Sequence, residues 1–256
     1  MIVQGIPQFI SGKLLRGKML EALSEYTYQH AILLYQGCSD GIVSGCALTT
    51  TEDSIILNPG VVRYEGELYL LNKPQFLAYS ATDTTRVLQL VFHDKVTTET
   101  FITREIELCF TDGPSVDPRY MELCRFKLQP KARLRYEYTD FSDRETEYDT
   151  LNTIYSPFCG LNRATLSPDI IRHFAQEALS SGAGGLDAAF CLQILSVREP
   201  VQRDALQGYI KLKLGQDTPC ETNIQIYHAL LSCLSQLEQH SPAEKKAAKR
   251  KKLLVE

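Results

Sequence analysis

Histidine is the side chain most readily recruited for proton transfer or metal binding near neutral pH, and this chain has five: His30, His93, His173, His228 and His240. They are far apart. His30, His173 and His228 each fall in a stretch of helical periodicity, so three helices would have to converge to make one metal site, and no spacing requires that. Eight cysteines, Cys38, Cys46, Cys109, Cys124, Cys159, Cys191, Cys220 and Cys233, are also scattered. None forms the close pair from which zinc sites are built. Cys109 and Cys233 sit inside apolar runs, where a free thiol behaves as a small hydrophobe. The cysteines therefore read as reduced core residues.

Asp140, Asp143, Glu145, Glu147 and Asp149 supply hard oxygen ligands of the kind calcium takes. The cluster lacks the alternation and the glycine of an EF-hand loop, and it reads as a solvated connector. Gly182-Ala183-Gly184-Gly185 is glycine-rich like a phosphate loop, but it follows a helical stretch and has no Lys-Ser or Lys-Thr ending. It reads as an interhelical turn. A glycosidase needs two carboxylates across a cleft, and among 31 acidic residues such a pair carries no signal. No Walker A, nucleophile-elbow or HExxH pattern occurs. The sequence assigns no catalytic, cofactor-binding or metal-binding residue, and the expectation is a protein that is not an enzyme and takes no cofactor.

The elements around these residues fall into blocks. Residues 1–36 hold an N-terminal segment and a helix capped at Ser11 or Gly12, with Leu15, Met19, Leu23 and Tyr26 recurring at three- or four-residue intervals. Residues 37–140 are β-rich. Ile42–Leu48, Ser54–Leu57, Val61–Tyr64, Leu68–Leu71, Arg86–Phe92, Thr97–Phe110, Tyr120–Leu128 and Arg133–Tyr138 read as strands, and Asn58-Pro59-Gly60 as a tight turn. Arg104 interrupts an apolar parity and marks a candidate edge. Residues 141–166 read as a polar connector. Residues 167–240 read as four helices: one opened by Ser167-Pro168-Asp169, then Leu186–Val197, then one from Pro200 to Gly215, then Glu221–Gln239. Residues 241–256 form a basic tail with Lys245, Lys246, Lys249, Arg250, Lys251 and Lys252, of a composition that favours disorder until bound. The fold expected is α+β: an N-terminal helix, a β-sandwich-like domain, and a small C-terminal helical bundle.

The chain has 256 residues, 44% of them hydrophobic, enough to bury a real core. A net charge of -4 argues against a chain built mainly to bind nucleic-acid phosphates. No run approaches the roughly 18 apolar residues of a membrane span. The start carries no basic-then-apolar leader, so synthesis in the cytoplasm is expected.

Two segments carry a resemblance. Ser39-Asp40-Gly41-Ile42-Val43-Ser44-Gly45, then Ile55 to Val62 with its Pro59-Gly60, then Tyr64-Glu65-Gly66-Glu67-Leu68-Tyr69-Leu70, follow a helix. This order resembles a small β-module of baseplate and tail proteins from contractile phages and related extracellular injection systems. Glu122–Gln129, Ala132–Arg135 and Phe141-Ser142-Asp143 resemble the continuation in baseplate-like proteins of Gram-positive gene clusters. The resemblance spans roughly residues 9–155. It implies a structural subunit that works through protein–protein contacts with other tail or baseplate subunits, as a homo- or hetero-oligomer, and ends as part of an assembled particle. It implies no catalytic residue. The alternative is a carbohydrate- or ligand-binding β-module with a helical appendage.

Overall fold

The structure, a computed structural model, describes residues 7–240, without the side chain of His240. The first six residues and the basic tail expected from Ser241 onward lie outside the described residues. Helix α1 (Gly17–Leu34) leads into nine strands: β1 (Gly41–Gly45), β2 (Leu48–Thr50), β3 (Ser54–Leu57), β4 (Gly60–Tyr64), β5 (Glu67–Leu71), β6 (Gln75–Ala78), β7 (Thr85–Thr97), β8 (Ile102–Thr111) and β9 (Tyr120–Lys127). A 3-10 turn (Ser142–Glu145) precedes α2 (Pro168–Ser180), α3 (Leu186–Ser196), α4 (Arg203–Leu214) and α5 (Asn223–His240). The class is α+β, as expected.

The strands make three antiparallel sheets of three, in the orders β1-β4-β5, β2-β3-β6 and β8-β7-β9. The first two share one bent ribbon. Residues 41–50 run against 54–64, with Gly41 opposite Arg63, Gly45 opposite Gly60 and Leu48 opposite Leu57. The pairing carries on through the bend, where Cys46 N–H donates to Pro59 O (3.1 Å) and Asn58 N–H to Ala47 O (2.9 Å). Asn58-Pro59-Gly60 is thus a corner that passes the chain from one sheet to the next, not the tight reversal its composition predicts. Close approach requires the glycines. A Cβ on Gly45 would lie 2.3 Å from Pro59 O, and one on Gly60 would lie 2.4 Å from Cys46 N. The true reversal follows at Glu65-Gly66, with φ of 49° and 79°, the two positive values a type I′ hairpin needs.

All three sheets contribute to one apolar core. Ile42, Val62 and Tyr64 come from the first, Ile55 and Leu57 from the second, and Leu88, Leu90, Phe92 and Leu123 from the third. The Tyr64 ring stacks on Phe92 at 4.1 Å and 10°. Full burial of such side chains contributes about 1.5–3 kcal/mol each. A second core lies among α2–α5, with Ile170, Phe174, Leu206, Ile210, Tyr227 and Leu230 at its centre.

Local signals set both ends of α2. Ser167 Oγ accepts from Asp169 N–H at 3.2 Å and opens α2. Gly182, at φ 86°, closes it, with Gly182 N–H to Leu179 O and Ala183 N–H to Ala178 O. Helix α1 begins at Gly17 and not at Ser11 or Gly12. Gly12 instead has φ 80° in a turn held by Lys13 N–H to Ile10 O. Helix α4 begins three residues after Pro200, because Gln202 still has extended backbone.

Three further differences are instructive. Arg133–Tyr138 is not a strand and contributes only a bridge from Arg135 to Thr150. Its backbone is held by bonds to distant chain, Arg135 N–H to Asp149 O and Thr50 Oγ1 to Leu134 O. Strand β6, which periodicity does not announce, forms by pairing with β3. Residues 141–166 are more than a polar connector. Leu151 enters the β core, while Phe141, Ile154 and Leu166 enter the helical one.

Candidate interaction surface

The side chains singled out for chemistry are dispersed by the fold. His93 pairs with Glu107 (3.2 Å) and His228 with Glu145 (2.8 Å), His173 accepts from Arg144 (3.3 Å), and His30 stacks near Tyr26 on α1. Among the described residues no group of three His, Cys, Asp or Glu is placed to hold a metal ion. All eight cysteines are free, and Cys46, Cys124, Cys159, Cys191, Cys220 and Cys233 are buried. Burial pushes the Cys46, Cys191 and Cys233 thiols up to about 11, which keeps them protonated and unreactive at neutral pH.

The acidic cluster also separates into pairs. Asp143 receives both Nη groups of Arg135 at 2.5 Å, plus Thr139 N–H (2.9 Å) and Thr146 Oγ1 (2.8 Å). The Arg135 guanidinium, with these hydrogen bonds, holds its carboxyl well below the usual carboxylate range. Glu147 pairs with Lys127 (3.2 Å), and Asp149 accepts from Gln129 N–H (3.1 Å). These acids fasten residues 127–149 together.

One feature is left without an internal explanation, and it is α1. This helix has no buried residue. It also lacks local supports: its N-cap Arg16 makes no side-chain cap bond, its first turn has no acid and its last turn no base. Leu20, Leu23, Tyr26, Tyr28, Leu33 and Leu34 are all exposed, as are Phe9, Ile10, Leu14 and Leu15 in the segment before it. Scattered apolar exposure is ordinary, but a continuous run of this kind marks a contact surface.

The arm is tethered through Tyr28, where α1 meets β5. Tyr28 lies beside Glu67 and Lys95, where partial desolvation and the Glu67 charge raise its phenol pKa. Glu67 is itself fixed by Lys95 and by Tyr69 Oη (2.9 Å). The neighbouring anchor is Arg104, the residue that interrupts the parity of β8. It reaches Glu65 at 2.7 Å and lies over the rings of Tyr64 (5.0 Å) and Tyr69 (5.7 Å). β8 is indeed a sheet edge, and Arg104 staples it to the β4–β5 hairpin. Leu70, Val96, Phe101 and Ile102, close in sequence to this tether, are exposed as well. Among the described residues no helix is long and apolar enough to cross a membrane.

No family model and no curated protein sequence matches this chain. Two solved structures are similar to it in part. One is a crystal structure of TssK, 10% identical, aligned over 91% of this chain and 71% of that one with a TM-score of 0.39. The other is the TssK-TssF-TssG baseplate subcomplex of a type VI secretion system, seen by cryo-electron microscopy. It is 9% identical over 91% of this chain and 98% of that one, with a TM-score of 0.38. Likeness at that level carries no argument, so the functional reading rests on the residues described above.

Proposed function

We propose that this chain is a structural subunit of a phage-tail-like contractile particle, a baseplate component that acts through protein–protein contacts. The observation that carries the reading is the α1 arm, ten large apolar side chains exposed on one segment, in a helix with no side-chain cap at its start and no buried residue. An isolated helix of this length is marginal in water, so an arm of this composition is stabilised by a partner. The order of motifs from Ser39 to Leu70 supports the particular kind of assembly. The chain would be made in the cytoplasm and then built into the particle.

The test is copurification of the tagged full chain from its source, followed by mass spectrometry and electron microscopy. Wild type should bring down other tail or baseplate subunits, and the Leu20→Ser, Leu23→Ser, Leu33→Ser triple variant should not. A wild-type chain that purifies alone as a monomer, or a triple variant that retains its neighbours, would overturn the reading.

A further inference from the structure

A cleft of about 620 Å³ lies where the bent ribbon meets the helices. Part of its lining is the ribbon itself, residues 42–49. Most of its charge comes from Arg144 on the 3-10 turn, Arg172 on α2 and Arg198 on the loop before α4, set against a single carboxylate, Asp169.

The three arginines differ from most others in the molecule. Arg63, Arg86, Arg104, Arg119, Arg125, Arg133, Arg135 and Arg163 all sit in ion pairs. Arg144 is 6% exposed, yet its Nε donates to His173 Nδ1 (3.3 Å), an Nη donates to the Asp169 carbonyl (3.3 Å), and its guanidinium lies on the Tyr138 ring at 4.1 Å. Arg172 donates to the Val197 carbonyl. None of these four contacts is to a carboxylate. The hydrogen-bond partners of the buried Arg144 are thus neutral, with the Asp169 and Asp143 charges acting on it only from beyond hydrogen-bond reach, and a guanidinium's fork of donors matches a carboxylate.

The ribbon side supplies the second half of the argument. β1 and β2 are each the edge strand of their sheet. A neighbouring segment already uses β1 in the parallel sense: Ile42 N–H donates to Pro157 O and Cys159 N–H to Ile42 O, both at 2.8 Å. Beyond that bridge Ser44 and Gly45 are exposed. An extended chain laid there would continue the pairing up to the bend at Gly45 and Cys46, where φ is 67° and 56°, and bring side chains toward the arginines.

We propose that this cleft receives an extended acidic segment of a partner polypeptide, with its backbone along the β1–β2 edge and its carboxylates on Arg144, Arg172 and Arg198. The proposal does not depend on the assembly role argued above. A small free dicarboxylate would satisfy the arginines alone and leave the strand edge unused.

The test uses the full chain and a fluorescein-labelled hexapeptide of alternating Val and Glu, read by fluorescence anisotropy at low salt. The Glu peptide should bind at least about tenfold more tightly than its Gln counterpart, the effect expected of charge-assisted pairs. Arg172→Ala with Arg198→Ala, both short of full burial, should lose about tenfold in affinity with an unchanged melting temperature. Amide exchange at Ser44 and Gly45 should slow when the peptide is bound. Equal binding of the Gln peptide, or wild-type binding by the double variant, would overturn the proposal. So would displacement of the labelled peptide by free glutarate as effectively as by unlabelled peptide.

Discussion

Helices α1 and α5 are each 18 residues long, and they have opposite surroundings. In α5, Ile226, Tyr227, Leu230, Cys233 and Leu234 are buried against α2, α4 and the 141–166 segment. Its start is a capping box: Gln225 Oε1 accepts from Thr222 N–H (3.1 Å) and Gln225 N–H donates to Thr222 Oγ1 (3.3 Å). In α1 no residue is buried and no side chain caps the start. Both carry apolar side chains at helical spacing, so spacing alone does not determine burial. What separates them is a partner within the chain. Helix α5 has one, whereas α1 has only the contact of Tyr28 beside Glu67 and Lys95, and the proposed subunit contact would supply the rest.

The largest effects should come from the side that already has its partners. Tyr227 is fully buried, its ring centroid is 4.8 Å from that of Phe141, and its Oη donates to Phe141 O at 2.6 Å. Tyr227→Ala should cost about 3–5 kcal/mol, a cavity plus a lost hydrogen bond, and urea titration would measure it. A loss below about 1 kcal/mol would mean that α5 is held no better than α1, and the contrast would fail. Next is Asp187, which is buried and accepts from Tyr209 Oη and Lys213 Nζ, each at 2.9 Å. Asp187→Ala strands both donors and should cost about 2–3 kcal/mol by the same titration.

The same contrast shows what was legible in the sequence. Signals that act within a few residues were readable: Ser167-Pro168-Asp169 opens α2 and Gly215 closes α4, whereas α5 starts not at the expected Glu221 but at Asn223, behind the Thr222–Gln225 capping box that the structure shows. Signals that depend on distant chain were not. Asn58-Pro59-Gly60 has turn composition, but its geometry is fixed by the Gly45 backbone pressed against it. Arg133–Tyr138 alternates like a strand, yet side-chain bonds to Asp143 and Thr50 hold it elsewhere. β6 exposes Phe76 and packs Leu77, a pattern too short to stand out. The apolar stripe of α1 was readable and its exposure was not. Arg144, Arg172 and Arg198 lie on three separate segments, so their convergence appears only in the fold.

Acid should probe the segment between the two cores through Asp143. Its folded pKa is depressed by Arg135 and by its hydrogen bonds, so its contribution is fully present above the unfolded value of about 3.9. That contribution is lost as pH falls through the folded value. Wild type should lose stability below about pH 4, where the unfolded chain takes up the proton first. Asp143→Asn should cost about 1.5 kcal/mol at pH 7 and flatten this part of the pH profile. A variant whose melting temperature tracks wild type between pH 2 and 7 would remove Asp143 as a fastening point within residues 127–149.

The smallest effect on stability is also the sharpest test of the contrast. Leu23 is exposed on α1 and belongs to neither apolar core. Leu23→Ser should shift the unfolding free energy of the isolated chain by no more than about 0.5 kcal/mol, as a surface change does. Backbone amides of α1 should exchange with solvent near the rate of an unsupported helix, while those of α5 are protected to the level of global unfolding. Adding the native partner should reverse the first result and leave the second as it was, because the partner would bury α1 alone. Slow exchange in α1 of a monomeric chain would mean that the arm is already held from within, and the two helices would then differ in degree and not in kind.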